Sequence, residues 1–157
     1  MTRTPMTPEG LRALNVELKH LKEVLRPQIV RDIETARAHG DISENSEYED
    51  AKERQAHCEG RIGYVEGLVA SAEVIDVGKM TPSDRVVFGV TVLISNEAGD
   101  ERTWRIVGET EADVDKGRIS YKSPLGRALI GRSQGDDVAV PAPAGTQTWE
   151  IVEVRYQ

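Results

Sequence analysis

The sequence is poor in aromatic residues and in cysteine, and both shortages exclude particular kinds of protein. Phe, Trp and Tyr together make up only 4% of the 157 residues, which argues against a thick, aromatic-rich core throughout the chain. The single cysteine, Cys58, excludes an internal disulfide framework and a cysteine-based zinc site. The three histidines show no ligand spacing, so no structural metal is expected.

Long apolar runs are also missing. The longest covers residues 86–94 and includes Gly89 and Thr91, whereas a helix that spans a bilayer needs about 20 apolar residues. Residues 1–10 lack the apolar segment of a signal peptide. The sequence therefore predicts a soluble, cytoplasmic protein with no membrane partner.

Positive charge is the third shortage, because 20 Lys and Arg stand against 27 Asp and Glu, for a formal net charge of -7. A protein that grips free nucleic acid by its phosphates needs clustered Lys and Arg to release counterions. Stable binding to free nucleic acid is therefore not expected. The negative charge is concentrated in residues 41–53, where six of thirteen side chains are acidic and only Lys52 is basic.

The N-terminal half contains an apolar seam with helical spacing. Intervals of three and four residues are typical of coiled coils, and a short glycine-containing turn lets two helices fold back on each other. We predict an antiparallel two-helix hairpin with arms of about 29 residues, roughly 43 Å long at 1.5 Å per residue. Its turn is the polar segment 40–44. The seam of the first arm consists of Leu11, Leu14, Leu18, Leu21 and Leu25, and it continues less cleanly through Ile29, Ile33 and Ala36 to Gly40. The seam of the second arm consists of Tyr48, Ala51, Cys58, Ile62, Val65, Val69 and Ala72, with Gln55 as a polar interruption.

Two prolines mark the first predicted helix. Thr7 and Pro8 suit the cap and the first helical position. Pro27 lies inside the helical pattern, where it removes a backbone donor and clashes with the preceding turn. We expect a bend at Pro27 and a helix that resumes at Gln28.

The pattern changes after residue 72 to β-branched runs separated by turn signals. Residues 123–131 (SPLGRALIG) predict a short helix capped by Ser123 and ended by Gly131. A small sheet packed on a short helix makes an α+β domain. We predict an N-terminal hairpin domain at 1–78 and a C-terminal domain at 79–157. The strands predicted after residue 72 are 74–77, 86–94, 103–107, 138–140 and 149–154.

The predicted turn carries two carboxylates three residues apart, Asp41 and Glu44. Such a pair can converge at a helix start and hold a hard divalent cation. The same spacing makes a capping box, with Asp41 as cap and Glu44 folding back to it, and spacing alone favours that alternative. Asp41 can cap and present an oxygen at once. Magnesium takes six oxygens, so a partner would have to supply the remaining ligands.

Residues 36–48 (ARAHGDISENSEY) resemble the tip signature of the bacterial Gre transcript-cleavage factors. The segments 59–62, 72–76 and 123–131 resemble further signatures of that family, and the similarity covers residues 6–156, with the closer match to the GreA type. The resemblance implies an N-terminal antiparallel coiled coil, an acidic tip at 40–48 and an FKBP-like C-terminal domain. The implied fold class is therefore α+β.

The resemblance also implies a partner and a mechanism. The coiled coil would enter the secondary channel of bacterial RNA polymerase and meet the nascent RNA 3′ end of a backtracked complex. Asp41 and Glu44 would be the catalytic residues, helping the polymerase to hold a second Mg²⁺ and to orient water for RNA cleavage. The ion is shared with the polymerase, and the chain alone binds no stable cofactor. The chain would be an accessory factor and not an enzyme by itself.

Four further residues at or near the tip match family positions. Arg37 and Lys52 would contact extruded RNA, with ordinary solvated surface charge as the alternative. Lys52 keeps a positive charge but lacks the flat, bidentate grip of an arginine. Ser43 and Tyr48 would support the tip, although the residues alone favour the simpler roles of a helix-cap hydroxyl and a seam aromatic.

In the C-terminal domain, Ser123 and Pro124 match the loop with which relatives touch the rim of the channel. Two other functions stay open at this point. Some relatives keep the coiled coil and inhibit the polymerase, but the intact Asp41 and Glu44 favour a cleavage factor. A generic coiled-coil adaptor is the third alternative, and the resemblance over the whole chain argues against it.

Overall fold

The computed structural model describes residues 2–38, 40 and 45–157, with the backbone alone described at Asn45. Two compact units emerge, one of residues 11–72 with Thr2, the other of residues 3–10 and 73–157. The predicted division after residue 78 differs from this one by two short segments. The helices are α1 (Pro8–His20), α2 (Arg26–Ala38), α3 (Asn45–Ser71) and α4 (Pro124–Leu129). The strands are β1 (Thr4–Met6), β2 (Ala72–Val74), β3 (Thr91–Ser95), β4 (Glu101–Val107), β5 (Arg118–Ser120), β6 (Asp137–Val140) and β7 (Gln147–Arg155).

The first unit is a helical hairpin whose two arms run antiparallel. Three ion pairs between the arms descend along α3 as they ascend along the first arm: Lys22–Glu66 at 2.7 Å, Arg26–Glu59 at 2.7 Å and Asp32–Arg54 at 3.1 Å. A fourth pair, Glu17–Arg61 at 2.6 Å, falls outside this order. Helix α2 ends at Ala38 and α3 begins at Asn45, on either side of the predicted turn, and residues 41–44 of that turn lie outside the described residues. The narrow core between the arms consists of Leu21, Ile29, Ile33, Ala51, Cys58 and Ile62, with Leu18 and Tyr48 packed against it.

A π-helical segment, Leu21–Leu25, joins α1 to α2. The buried residues of the first arm are spaced by seven from Leu14 to Leu21, by eight to Ile29, and by seven again to Ala36. A π turn holds one residue more than an α turn, so it absorbs the eighth residue and keeps Leu21 and Ile29 on the same face. Leu25, which the sequence places in the seam, is consequently exposed.

Pro27 does not break the helix where the sequence predicts. The interruption is the π segment directly before it, and α2 already begins at Arg26, so the prediction of a restart at Gln28 is wrong by two residues. The amide of Arg26 donates to the carbonyl oxygen of Leu21, five residues back. The wider π turn thus lies just before Pro27, which has no amide hydrogen to donate.

The second unit contains a five-stranded sheet in the order β5-β4-β3-β7-β6. Strand β3 is antiparallel to β4 and β7, β6 is antiparallel to β7, and β4 is parallel to β5. Alternate residues of β3 are buried, as a sheet with one packed face requires. Helix α4 contacts β5 and β6, and the core includes Val86, Val90, Val92, Ile94, Ile106, Leu129 and Ile151. The predicted α+β fold with an N-terminal helical hairpin is confirmed.

Some strands differ from the sequence prediction. Only residues 91–94 of the predicted strand 86–94 lie in a strand, because Gly89 turns the chain at φ 92 before β3 begins. Val86 and Val90 are fully buried without belonging to a strand. Strands β1 and β5 have three residues each, too few for an alternating pattern to show. No helix among the residues described is long and apolar enough to cross a membrane.

Residues 3–10 belong to the sheet-containing unit through a buried polar contact. The carboxylate of Glu111 accepts hydrogen bonds from the amides of Thr7 at 3.1 Å and Gly108 at 3.0 Å, and from the Thr7 hydroxyl. The Thr7 hydroxyl oxygen also accepts from the amide of Gly10 at 3.1 Å. This contact confirms Thr7 as the cap of α1, and it explains how a polar side chain can be buried here.

Candidate functional site

The predicted catalytic pair lies in the turn of the hairpin. Asp41, Ser43 and Glu44 fall outside the described residues, so both the metal-binding and the capping interpretation stay predictions. The structure does describe the residues on either side of them, Gly40 before and the start of α3 after.

Gly40 begins the reversal of the chain after α2. Its amide donates to the carbonyl oxygen of Arg37 at 3.1 Å, and its φ is 64. Glycine adopts this left-handed conformation without steric cost and commonly ends helices in this way. The local sequence therefore ends α2 shortly before Asp41, with Ala38 as its last residue.

Arg37 and Tyr48 meet across the hairpin next to the turn. The guanidinium carbon of Arg37 lies 5.7 Å from the centroid of the Tyr48 ring. The Arg37 guanidinium lowers the pKa of the Tyr48 hydroxyl, first through a hydrogen bond and also through its charge, to which the charge of Lys52 adds. Tyr48 is half-buried against the hairpin core, so its predicted place in the seam is confirmed.

Lys52 lies one turn after Tyr48 on α3 and is exposed, as is Arg37. The ammonium of Lys52 donates to the side-chain oxygen of Gln55 at 3.0 Å. The structure thus brings both residues predicted to contact RNA to the same tyrosine beside the turn. Each keeps an exposed charge there, which fits a contact with phosphate but does not test it.

A groove of about 250 Å³ runs between α2 and α3 near the turn. The guanidinium of Arg54 spans it, 3.1 Å from Asp32 on the opposite arm and 3.6 Å from Asp50 on its own helix. Hydrogen bonds from Arg54 and Gln28 lower the pKa of Asp32. The groove is lined by Asp32, Thr35, Ala36, Glu47, Asp50, Ala51 and Arg54.

Sequence reasoning missed this groove and its bridging arginine. The acidic run 41–53 signalled Asp50, but the partner Asp32 lies in the other arm, and its pairing depends on the register of the hairpin. The signal in the sequence is a series of oppositely charged residues whose numbers rise along the first arm and fall along the second.

The donor chemistry at the turn is compatible with Mg²⁺, which binds carboxylate oxygens. Among the residues that the structure describes, no group of three or more His, Cys, Asp or Glu side chains could hold a metal ion. Asp41 and Glu44 lie outside those residues and stay the predicted ligands, and two carboxylates supply fewer than the six oxygens of a complete magnesium site.

Ser123 and Pro124 lie at the start of α4. The Ser123 hydroxyl accepts from the amide of Gly126 at 3.0 Å and donates to the carbonyl oxygen of Ser120 at 2.7 Å. The predicted helix cap is thereby confirmed, and it occupies the polar group of Ser123. Pro124 is exposed at the first turn of the helix and offers the more accessible surface of the two.

The fold and this arrangement can now be compared with known proteins. Residues 4–74 match the family described as the N-terminal domain of a transcription elongation factor, and residues 81–156 match the family described as transcription elongation factor, GreA/GreB, C-terminal domain. Because the two matches cover most of the hairpin and of the sheet-containing unit, the class of protein is a two-domain transcription elongation factor. The chain belongs to the GreA/GreB family.

Individual proteins are similar to the chain over nearly its full length. The chain is 57% identical to transcription elongation factor GreA of Anaeromyxobacter sp. (strain K), over 99% of this chain and 94% of that one. It is 52% identical to transcription elongation factor GreA of Hyphomonas neptunium (strain ATCC 15444), over 100% of both chains. A solved structure, GreA factor homolog 1 (Gfh1) of Thermus thermophilus, aligns with a TM-score of 0.45 at 24% identity, over 98% of this chain and 99% of that one.

Proposed function

We propose that this transcription elongation factor inserts its hairpin into the secondary channel of RNA polymerase and stimulates the polymerase to cleave backtracked nascent RNA. The observation that carries the proposal is the full-length identity, up to 57%, to proteins named transcription elongation factor GreA. The sequence of the turn adds to it, because Asp41 and Glu44 are both present. These identities favour an elongation factor over a channel-binding inhibitor.

The proposed chemistry takes place at the active site of the polymerase. Asp41 and Glu44 would each place a carboxylate oxygen beside the RNA backbone, where one orients a water molecule and accepts its hydrogen bond. A magnesium ion shared with the polymerase would supply the positive charge that stabilises the attacking and leaving oxygens. The chain would thus act as an accessory factor in the cytoplasm, and the polymerase would remain the enzyme.

The residues beside the turn suit contact with RNA. Arg37 and Lys52 present exposed positive charge next to Tyr48, whereas most charged side chains from Glu47 to Glu53 are acidic. Free RNA would be repelled by that surface. We infer that the extruded RNA 3′ end meets these two cations only inside the polymerase complex.

The proposal is tested with purified polymerase stalled in a backtracked complex. We expect the full chain to shorten the 3′ end of the labelled RNA and to restart elongation, faster than polymerase alone. Co-sedimentation measures binding in the same samples. A chain that binds the polymerase but leaves the RNA uncut would contradict the proposal and support the inhibitor.

Pro124 gives a prediction about docking. Pro124→Ala keeps the bond from the Gly126 amide to Ser123, so the fold of α4 is preserved. We propose that the exposed ring contacts the polymerase, and we expect its loss to weaken polymerase affinity about fivefold, the effect of a modest interface contact. Competition binding on intact polymerase measures it.

The matched control for this prediction is Pro143→Ala. Pro143 is an exposed proline in another loop of the same domain, and its replacement should leave the affinity unchanged. Equal affinities for the two variants would remove Pro124 from the docking surface.

A further inference from the structure

Each arm of the hairpin has one irregular stretch, and the two stretches lie opposite each other. Ion pairs of Lys22 with Glu66 and of Arg26 with Glu59, each 2.7 Å long, place the π segment of the first arm against the middle of α3. All four side chains are at least 39% exposed. Exposed ion pairs contribute little to stability, so these pairs hold the arms together only weakly at this level.

The first arm contributes little to the hairpin core at this level. Residues 22–28, all of which the structure describes, include no buried side chain, whereas Leu21 and Ile29 on either side of them are buried. Pro27 adds to the irregularity of the π segment, because it has no amide hydrogen to donate within the helix. Sharp bends in helices occur at features such as π turns and prolines, and this stretch has both.

Helix α3 carries the other irregularity, a group of three glycines. Gly60, Gly63 and Gly67 are the glycines of α3, and a Cβ at any of them would meet nothing within 4 Å. Close packing therefore does not require glycine at these positions. A glycine inside a helix makes local opening about two- to fivefold more favourable than an alanine does. The glycines thus weaken α3 opposite the π segment.

We propose that residues 21–27 and 59–67 form a hinge at which the hairpin bends, with the helical hydrogen bonds of both arms loosening together. Two paired helices bend only where both yield, which is why the opposite positions of the two irregular stretches matter. A bend of about 20° is a sharp helix kink. It would move Ala38, about 21 Å from the π segment at 1.5 Å per residue, by about 7 Å.

The first test stiffens α3 and measures hydrogen exchange, amide by amide, in the free full-length chain. It therefore does not depend on the proposed function. The variant Gly60→Ala/Gly63→Ala/Gly67→Ala has room for each added methyl group. We expect exchange at 60–67 to slow about 10- to 100-fold, the combined effect of three glycines.

The first arm supplies the decisive readout of this test. Because the two arms of a hinge open together, the glycine variant should slow exchange of the amides at 22–26 by a similar factor, although no residue of that arm is changed. Wild-type exchange at 22–26 would show that the glycines act on α3 alone, and that result would overturn the hinge.

The matched control is Thr35→Ala. Thr35 is exposed on α2, outside the proposed hinge, and alanine has the higher helix propensity there as well. We expect exchange at 22–26 and at 60–67 to keep its wild-type rate in this variant. Slowing of both stretches by the control would mean that the stability of the whole hairpin sets their exchange, which contradicts a local hinge.

The second test straightens the first arm. Deleting Val24, which is 55% exposed, shortens the step from Leu21 to Ile29 to seven residues, and Pro27→Ala restores the missing amide donor. We expect exchange at 60–67 in the free chain to slow at least about two- to fivefold, as when one helix-weakening residue is removed. Circular dichroism checks that the variant is folded, and Pro27→Ala alone serves as the test if the deletion disrupts the hairpin. Unchanged exchange at 60–67 in a folded variant would overturn the inference.

Discussion

Asp41→Ala is expected to abolish stimulated RNA cleavage while polymerase binding stays unchanged. In the proposed mechanism Asp41 supplies one of only two carboxylates that the chain contributes, so its loss should exceed the effect of removing an orienting group and reduce the cleavage rate at least about 100-fold. In the same proposal docking is attributed to Pro124 and not to Asp41, so polymerase binding should persist. Cleavage of a backtracked complex and co-sedimentation, measured on the same preparation, check both parts.

Asp41→Asn is the control that separates chelation from helix capping. Asparagine caps helices as well as aspartate does, but it has no negative charge for a metal ion. We expect the Asn variant to lose cleavage nearly as completely as the Ala variant and to keep the thermal stability of wild type. Full cleavage by Asp41→Asn would show that capping is the role of this residue.

The second large effect concerns the stability of the sheet-containing unit. Gly126 lies in α4, and a Cβ there would overlap the carbonyl oxygen of Ser120 and lie 3.1 Å from the Cα of Tyr121. Both are backbone atoms, so relief requires α4 to shift away from its neighbours. We expect Gly126→Ala to lower the free energy of unfolding by about 3 kcal/mol, the upper range for overpacking.

The chain offers both a probe and a control for this measurement. Its two tryptophans, Trp104 and Trp149, lie in β4 and β7, so fluorescence during urea unfolding reports the unit that contains α4. The control is Gly67→Ala in α3, where a Cβ meets nothing within 4 Å. Because α3 belongs to the other unit, the tryptophan-reported midpoint should stay that of wild type, while far-ultraviolet circular dichroism should show a gain of about 0.5–1 kcal/mol in the helix. Equal urea midpoints for Gly126→Ala and wild type would contradict the predicted overlap.

The sequence predicts the hairpin better than the sheet for a physical reason. The apolar seam repeats over many helical turns, so its period stays recognisable across a local irregularity. The π segment corresponds to the eight-residue step from Leu21 to Ile29 in the sequence. Strands β1 and β5 depend on partners distant in the chain, and three residues carry no period. The sequence predicts one strand over 86–94, because apolar side chains alone do not distinguish a strand from a buried loop around Gly89.

The candidate site shows the same limit. Asp41, Glu44, Arg37 and Lys52 could be identified as candidate site residues from the sequence, because they lie close together in the chain. That Arg37 meets Tyr48 could not, since contacts between the arms depend on the register of the hairpin. The register is set by the whole seam and not by the residues at the turn.

The buried contact of Thr7 with Glu111 also governs the order in which the chain can fold during synthesis. The two residues are 104 positions apart, so the ribosome completes the hairpin, whose contacts are closer in sequence, long before Glu111 emerges. Thr7, which is buried in the finished protein, must remain without its Glu111 partner through that interval. Contacts between distant residues are slow to form, and the earliest residues to leave the ribosome are therefore among the last to find their native neighbours.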